Sequence, residues 1–253
     1  MNTGIVFSGG AAKCIAQLGV LKGLEEMGVK PEIISAVSGG ALIAVLYASG
    51  LSPAQSLELI VKNGSFKFFF PSTKAGGLFS MSRIENAYNE VLKEKEFKDL
   101  KIKLVVNATD ILKGETVYFS TGPFIKPIMA SASYPAIFEP VKINGRSFLD
   151  GGITNNFPVE PLIGKCTKII GVSVGRVYPM DRMGSVNKVI VRSLELAINE
   201  GDLHRFKLCN VFLEPPGLNI FGMFDSDKGK EIFKKGYEYT LSMKNEIEKG
   251  MKD

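Results

Sequence analysis

The chain has 253 residues, 45% hydrophobic and 23% charged, with a formal net charge of +5, enough for one α/β domain with a sizeable core but cramped for two. No apolar run reaches the roughly 18 residues a bilayer span needs, and no basic n-region opens the chain, so a cytoplasmic protein without signal peptide is expected. The basic residues are scattered among acids without a nucleic-acid recognition motif, and Cys14, Cys166 and Cys209 form no CxxC or His/Cys cluster, so neither nucleic acid nor metal is an expected partner.

Thr3–Phe7 (TGIVF) reads as a buried strand that runs into the small-residue loop Ser8–Lys13. Ile15, Leu18, Leu21 and Leu24 recur at helical spacing up to Gly28, a C-cap. Ile33–Val37 is a second short strand, followed by Ser38-Gly39-Gly40 and a helix over Ala41–Ser49. Two strand–loop–helix units in succession predict a mostly parallel sheet covered by helices.

Ser52-Pro53-Ala54-Gln55 marks a helix start with Ser at N-cap, Pro at N1 and Gln at N3, and Ser82 with Glu85 repeats the capping-box signal. Ile102–Ala108 and Thr116–Phe119 read as strands joined through Lys113-Gly114. Val141–Ile143 and Arg146–Leu149 flank Asn144-Gly145, a strong hairpin signal, and that hairpin delivers Asp150 just before Gly151-Gly152. Thr167–Val174 and Val211–Leu213 read as strands; Val186–Ile198 and Lys230–Ile247 look helical. With no repeat or linker in view, residues 1–253 are expected to form one domain.

Ala36-Val37-Ser38-Gly39-Gly40 has the strand-to-helix context of a nucleophile elbow, with Ala36 where the usual pattern has glycine. The same segment also suits a serine N-cap in an ordinary loop. The loop Ser8-Gly9-Gly10-Ala11-Ala12-Lys13 suits an oxyanion hole, a phosphate cradle or a plain tight turn; it matches neither G-x-G-x-x-G nor a Walker A loop. Asp150-Gly151-Gly152 is either a simple Asx turn or a loop that presents an acid. Three small-residue loops at strand ends, one with a serine and one with an acid, shift the balance towards a catalytic site.

Taken together, FSGGAAKCIAQLGVLKGLEEMGV, SAVSGGALIA, NATDILKGETVYF, ASASYPAIFEPV and FLDGGITNNFPV resemble, in that order, the patatin-like phospholipase family. The resemblance implies a three-layer α/β/α sandwich with a mostly parallel central sheet. It implies a Ser38–Asp150 catalytic dyad and an oxyanion hole lined by Gly9, Gly10 and Ala11, with the Gly39 N–H as a further donor. The implied activity is hydrolysis of fatty-acyl esters of phospholipids, lysophospholipids or neutral lipids through an acyl-serine, without cofactor or metal. The family's G-G-G-x-[KR]-G stands here as Gly9-Gly10-Ala11-Ala12-Lys13-Cys14. Should position 11 need a positive φ, alanine costs about 1 kcal/mol or more.

In this reading Asp150 accepts the Ser38 proton, and desolvation by the hairpin raises a carboxyl that otherwise titrates near pH 4. An acyltransferase built on the same acyl-serine and a non-catalytic lipid-binding protein are the rival functions. His204 is the only histidine, and the order Ser38, Asp150, His204 also fits an α/β-hydrolase triad; a surface or core histidine is the expectation. Lys13 is read as a substrate contact or a solvated lysine, and Cys14 as a small buried thiol or one activated at a helix start. Phe66–Phe70 with Lys67 and Lys74, and Phe221–Phe224, are read either as core over a pocket or as points of peripheral contact with a membrane surface.

Overall fold

A computed structural model describes residues 2–63, 70–71, 77–93, 95–180, 184 and 186–252. In chain order the elements are β1 (Thr3–Phe7), α1 (Ile15–Glu26), β2 (Ile33–Ala36), α2 (Gly39–Ala48), α3 (Pro53–Asn63), β3 (Phe70–Pro71), β4 (Gly77–Ser80), α4 (Ser82–Val91), β5 (Lys103–Asp110) and β6 (Glu115–Phe119). They continue with α5 (Ile125–Ser131), β7 (Ala136–Phe138), β8 (Val141–Ile143), β9 (Arg146–Asp150), β10 (Lys168–Val172), α6 (Val186–Phe206), β11 (Val211–Leu213), α7 (Gly229–Ser242) and α8 (Lys244–Lys252).

The fold is α/β. The main sheet runs β11-β10-β1-β2-β5-β9-β8, with β6 also on β5. β11, β10, β1, β2 and β5 pair in parallel, whereas β6, β8 and β9 join antiparallel. β3, β4 and β7 make a separate small sheet. Alternation along the central strands divides the core. Ile5, Phe7, Ile34, Ala36, Leu104 and Val106 face the helical layer that includes α1 and α2. Val6, Ile33 and Ile169 face the other way, against Phe157, Val159, Leu162 and the end of α6 at Phe206.

Local signals account for most boundaries. Ser52 Oγ accepts from Gln55 N at 3.2 Å while Ser52 N donates to Gln55 Oε1 at 2.9 Å, a reciprocal capping box that starts α3. Asn144 and Gly145 both have positive φ, 48° and 78°, as the tight β8–β9 hairpin requires. The expected Ser82–Glu85 box does not form: α4 begins after Met81, and Ser82 N donates to Ser80 Oγ. α6 extends beyond the predicted Ile198 to Phe206, and the predicted Lys230–Ile247 helix divides into α7 and α8. α1 and α7 touch backbone to backbone: a Cβ on Gly19 would lie 2.1 Å from the Phe233 carbonyl oxygen, and one on Gly236 2.0 Å from that of Ala16.

One register relationship positions the site. Val106 of β5 pairs with Ala36 of β2 and with Phe119 of β6, so β2 and β6 occupy opposite edges of β5. Ala108 pairs with Val117 of β6 and with Asp150 of β9, which puts β9 on the edge that β2 has just left. The C-terminal ends of β2 and β9 therefore point at each other along one edge of a shared strand.

Candidate active site

Ser38 stands where the chain leaves that edge, between β2 and the first turn of α2. Its backbone has φ 55° and ψ −132°, a region that costs a non-glycine residue on the order of 1–3 kcal/mol. Ser131 Oγ holds the Ser38 N–H at 2.9 Å. α2 (GGALIAVLYA) is apolar all round and buried, so packing on every side fixes the turn before it.

Ser38 Oγ donates to Asp150 Oδ2 at 2.6 Å, and Gly152 N donates to Asp150 Oδ1 at 2.8 Å. Asp150 is 3% exposed. Burial pushes its carboxyl up to about 7, against the opposing pull of the Ser38 and Gly152 hydrogen bonds. Asn107 Nδ2 pins the turn after Asp150 through the carbonyls of Gly151 and Asn155, at 3.2 and 2.9 Å. The hairpin reaches the serine and its terminal acid is desolvated there.

The glycine loop lies against the same turn. Ala11 has φ 52°, so the alanine does occupy a left-handed position where the family pattern has glycine. A Cβ on Gly39 would lie 3.2 Å from the Ala11 nitrogen, so the two backbones converge beside Ser38. Among the described residues, no protein acceptor takes the amides of Gly10, Ala11 or Gly39. Gly9 departs from the expectation for that loop. Its N–H is held by Asn156, 3.1 Å to Oδ1 and 3.3 Å to the backbone oxygen, so it lines the site without a free donor. Glycine is nevertheless required there: a Cβ would lie 2.2 Å from Asn156 Oδ1 and 2.9 Å from Ser38 Cβ.

A cavity of about 550 Å³ opens over Ser38 and Asp150, within the range of small-molecule sites. Leu42, Leu59, Ile60, Ile84 and Phe138 give it an apolar wall, while Lys13, Arg176, Arg192 and Glu195 supply charge. Tyr134 also lines it. The Tyr134 hydroxyl is buried, has no hydrogen-bond partner among the described residues, and is pushed well above the usual phenol range by burial and by the Glu195 and Asp150 carboxylates.

The remaining candidates fall as follows. Lys13 lines the cavity and is half-buried. Cys14 is a buried thiol whose Sγ donates to the Ser8 carbonyl at 3.6 Å; burial pushes it far up, which corrects the reading of an activated thiol. His204 is exposed on α6, and the hydrogen bonds of Ser38 and Asp150 do not include it. Phe221 is buried and Phe224 lines the cavity, so that cluster is wall; Phe66–Phe69 and Lys74 lie outside the described residues. Among the described residues there is no group of three or more His, Cys, Asp or Glu able to hold a metal, and no helix is long and apolar enough to cross a membrane.

Sequence reasoning assigned no role to Ser131, Tyr134 or Asn156, although all three lie in the segments that carry the family resemblance. The hydrogen bonds of Ser131 and Asn156 join residues far apart in the chain, Tyr134 is marked only by the cavity it lines, and no local periodicity signals any of them.

A family model described as patatin-like phospholipase matches residues 5–163. An uncharacterized NTE family protein of Mycobacterium tuberculosis is 28% identical over 162 residues, covering 63% of this chain and 45% of the relative. A protein named lysophospholipase NTE1 from Kluyveromyces lactis is 27% identical over 291 aligned positions, covering 96% of this chain and 20% of the relative. The chain thus spans less than half the length of these relatives. VipD from Legionella pneumophila superposes with a TM-score of 0.64 at 16% identity, over 96% of this chain and 67% of that one. Human GIVD cytosolic phospholipase A2, in complex with a fluorophosphonate inhibitor, does so with 0.58 at 10%, over 99% and 59%. These two structures share the fold.

Proposed function

The chain belongs to the patatin-like phospholipase family, and on that premise we propose that it is a lipid acyl hydrolase that cleaves fatty-acyl esters through a Ser38–Asp150 dyad. The observation that carries this reading is the 2.6 Å hydrogen bond from Ser38 Oγ to the buried Asp150 carboxylate, made from a backbone conformation with φ 55° that an ordinary N-cap serine does not need. The name lysophospholipase NTE1 of one relative and the apolar wall of the cavity both favour a fatty-acyl substrate.

In the proposed reaction Asp150 accepts the hydroxyl proton as Ser38 Oγ attacks the ester carbonyl carbon. The carbonyl electron pair moves onto oxygen, and the amides of Gly10, Ala11 and Gly39 receive the resulting oxyanion. The tetrahedral intermediate collapses, the C–O bond to the alcohol breaks, and Asp150 returns the proton to the departing oxygen. Water then attacks acyl-Ser38 with Asp150 again as base, releasing the fatty acid. A carboxyl at about 7 suits a base at neutral pH better than one near 4.

Covalent labelling with a fluorophosphonate probe tests the dyad in wild type, Ser38→Ala and Asp150→Asn, each checked for folding. Labelling at Ser38 in wild type, absent in Ser38→Ala and greatly reduced in Asp150→Asn, is expected. A folded wild type that takes no label would replace this reading with non-catalytic lipid binding. His204→Asn should retain turnover within about two-fold, since an exposed side chain outside the site contributes little to the barrier.

A further inference from the structure

The Ser38 N–H belongs to neither of the elements that meet at it. On the strand side the last ladder partners are Ala36 and Val106, and Val37 N still donates to the Phe7 carbonyl at 3.2 Å. On the helix side the first bonds of α2 run to the carbonyls of Val37 and Ser38, from Ala41 N and Leu42 N. The N–H of an N-cap residue has no acceptor within its helix. At Ser38 it goes to Ser131 Oγ, at 2.9 Å.

Asp150 is held from the same place. Its N–H donates at 2.9 Å to the carbonyl of Ser133, two residues beyond Ser131. Both serines are buried at the C-terminal end of α5. Ser133 fastens that end, its N–H on the Ala130 carbonyl at 3.2 Å and its Oγ on the Met129 carbonyl at 2.8 Å. α5 also buries Ile125, Ile128 and Met129, so the segment is anchored in the core. Among the described residues no ladder joins β2 directly to β9. The end of α5 crosses that gap, holding the acid through a backbone carbonyl and the serine turn through a side chain. Any residue at position 133 supplies a carbonyl, whereas the hold on Ser38 needs an acceptor side chain at position 131.

We infer that Ser131 is a positioning residue for the proposed reaction: its Oγ captures the Ser38 N–H and keeps the turn in the conformation that sets Ser38 Oγ 2.6 Å from Asp150 Oδ2. It acts through Ser38 rather than on the substrate, and its role presupposes Ser38 as nucleophile. A non-glycine residue at φ 55° persists only where its surroundings over-determine it, and the Ser131 bond is one of those restraints. Without it the amide loses its acceptor, the turn is free to relax, and rotation about φ carries Oγ away from Asp150.

The test compares wild type, Ser131→Ala, Ser131→Cys and Ser49→Ala in ester turnover, fluorophosphonate labelling and urea unfolding. Cysteine keeps most of the serine's shape but is a weak acceptor, which separates a lost acceptor from a cavity. Ser49→Ala deletes another buried hydroxyl bond, 2.8 Å to the Leu46 carbonyl at the far end of α2, and so controls for stability. Both Ser131 variants should lower kcat and the labelling rate about ten-fold with KM within about two-fold, because a misplaced nucleophile loses rate rather than affinity. Ser49→Ala should keep kcat within about two-fold at a comparable loss of urea midpoint. In wild type the Ser38 amide should be protected from hydrogen exchange although it has no helical partner. Wild-type kcat in either folded Ser131 variant overturns the inference, as does a loss confined to KM or an equal kcat loss in Ser49→Ala. An unprotected Ser38 amide overturns it whether or not the variants fold. In each of these cases a labelled Ser38 leaves the dyad standing. Absence of label in folded wild type removes the dyad and this inference together.

Discussion

Ser38 and Asp150, 112 residues apart, meet at 2.6 Å because β2 and β9 run head-on along one edge of β5. Ala36 pairs with Val106 and Asp150 with Ala108, so the serine turn and the acid are brought to adjacent positions of one strand. The same placement buries Asp150 and pushes its carboxyl up to about 7.

That burial gives activity and stability opposite pH dependences. Turnover should rise as pH passes through about 7, when Asp150 ionises. For stability, the folded-state pKa lies above the unfolded value, so the folded protein binds the proton more tightly. Its contribution is fully present below about pH 4 and is lost as pH rises through the folded value. Asp150→Asn should therefore be inactive yet more stable than wild type at pH 8, by about 1–2 kcal/mol. The gain should shrink towards pH 4. Urea midpoints at several pH values check both signs; a variant less stable than wild type at pH 8 would contradict the account.

Backbone strain at Ser38 separates two inactive variants. Ser38→Ala and Ser38→Gly both lose the hydroxyl, but only glycine accepts φ 55° without penalty. Ser38→Gly should be the more stable by about 1 kcal/mol, seen as a higher urea midpoint at unchanged slope. Equal midpoints would mean the turn carries no strain.

Ala11 and Gly9 respond oppositely to exchange between alanine and glycine. Ala11→Gly relieves a left-handed alanine and should raise stability by about 1 kcal/mol while preserving or raising turnover. Gly9→Ala drives a Cβ to 2.2 Å from Asn156 Oδ1 and should lower turnover by at least about 100-fold, as a displaced oxyanion loop predicts. Thermal melts and ester kinetics on the pair read both effects.

Tyr134→Phe removes a buried hydroxyl that no described residue satisfies. Stability should be unchanged or up to about 1 kcal/mol higher, since no hydrogen bond is lost. If a substrate oxygen supplies the missing partner, kcat/KM falls about 3–10-fold. An unchanged kcat/KM would place the hydroxyl outside the substrate's reach.

Much of the architecture was legible from local pattern. The strands Thr3–Phe7 and Val211–Leu213, the Asn144-Gly145 hairpin and the capping box at Ser52 match the observed elements, because turn chemistry and short-period burial are properties of neighbouring residues. Ser82 misled, since the cap depends on how the chain leaves β4. The three small-residue loops and their chemistry were also visible, as a list of parts. Which parts touch was decided by tertiary structure. That β9 takes the edge vacated by β2 and that Asn156 captures Gly9 N–H both depend on pairing across more than forty residues. Register and desolvation set those contacts, and both are properties of the packed molecule; sequence spacing carries the residues to strand ends but does not choose their partners.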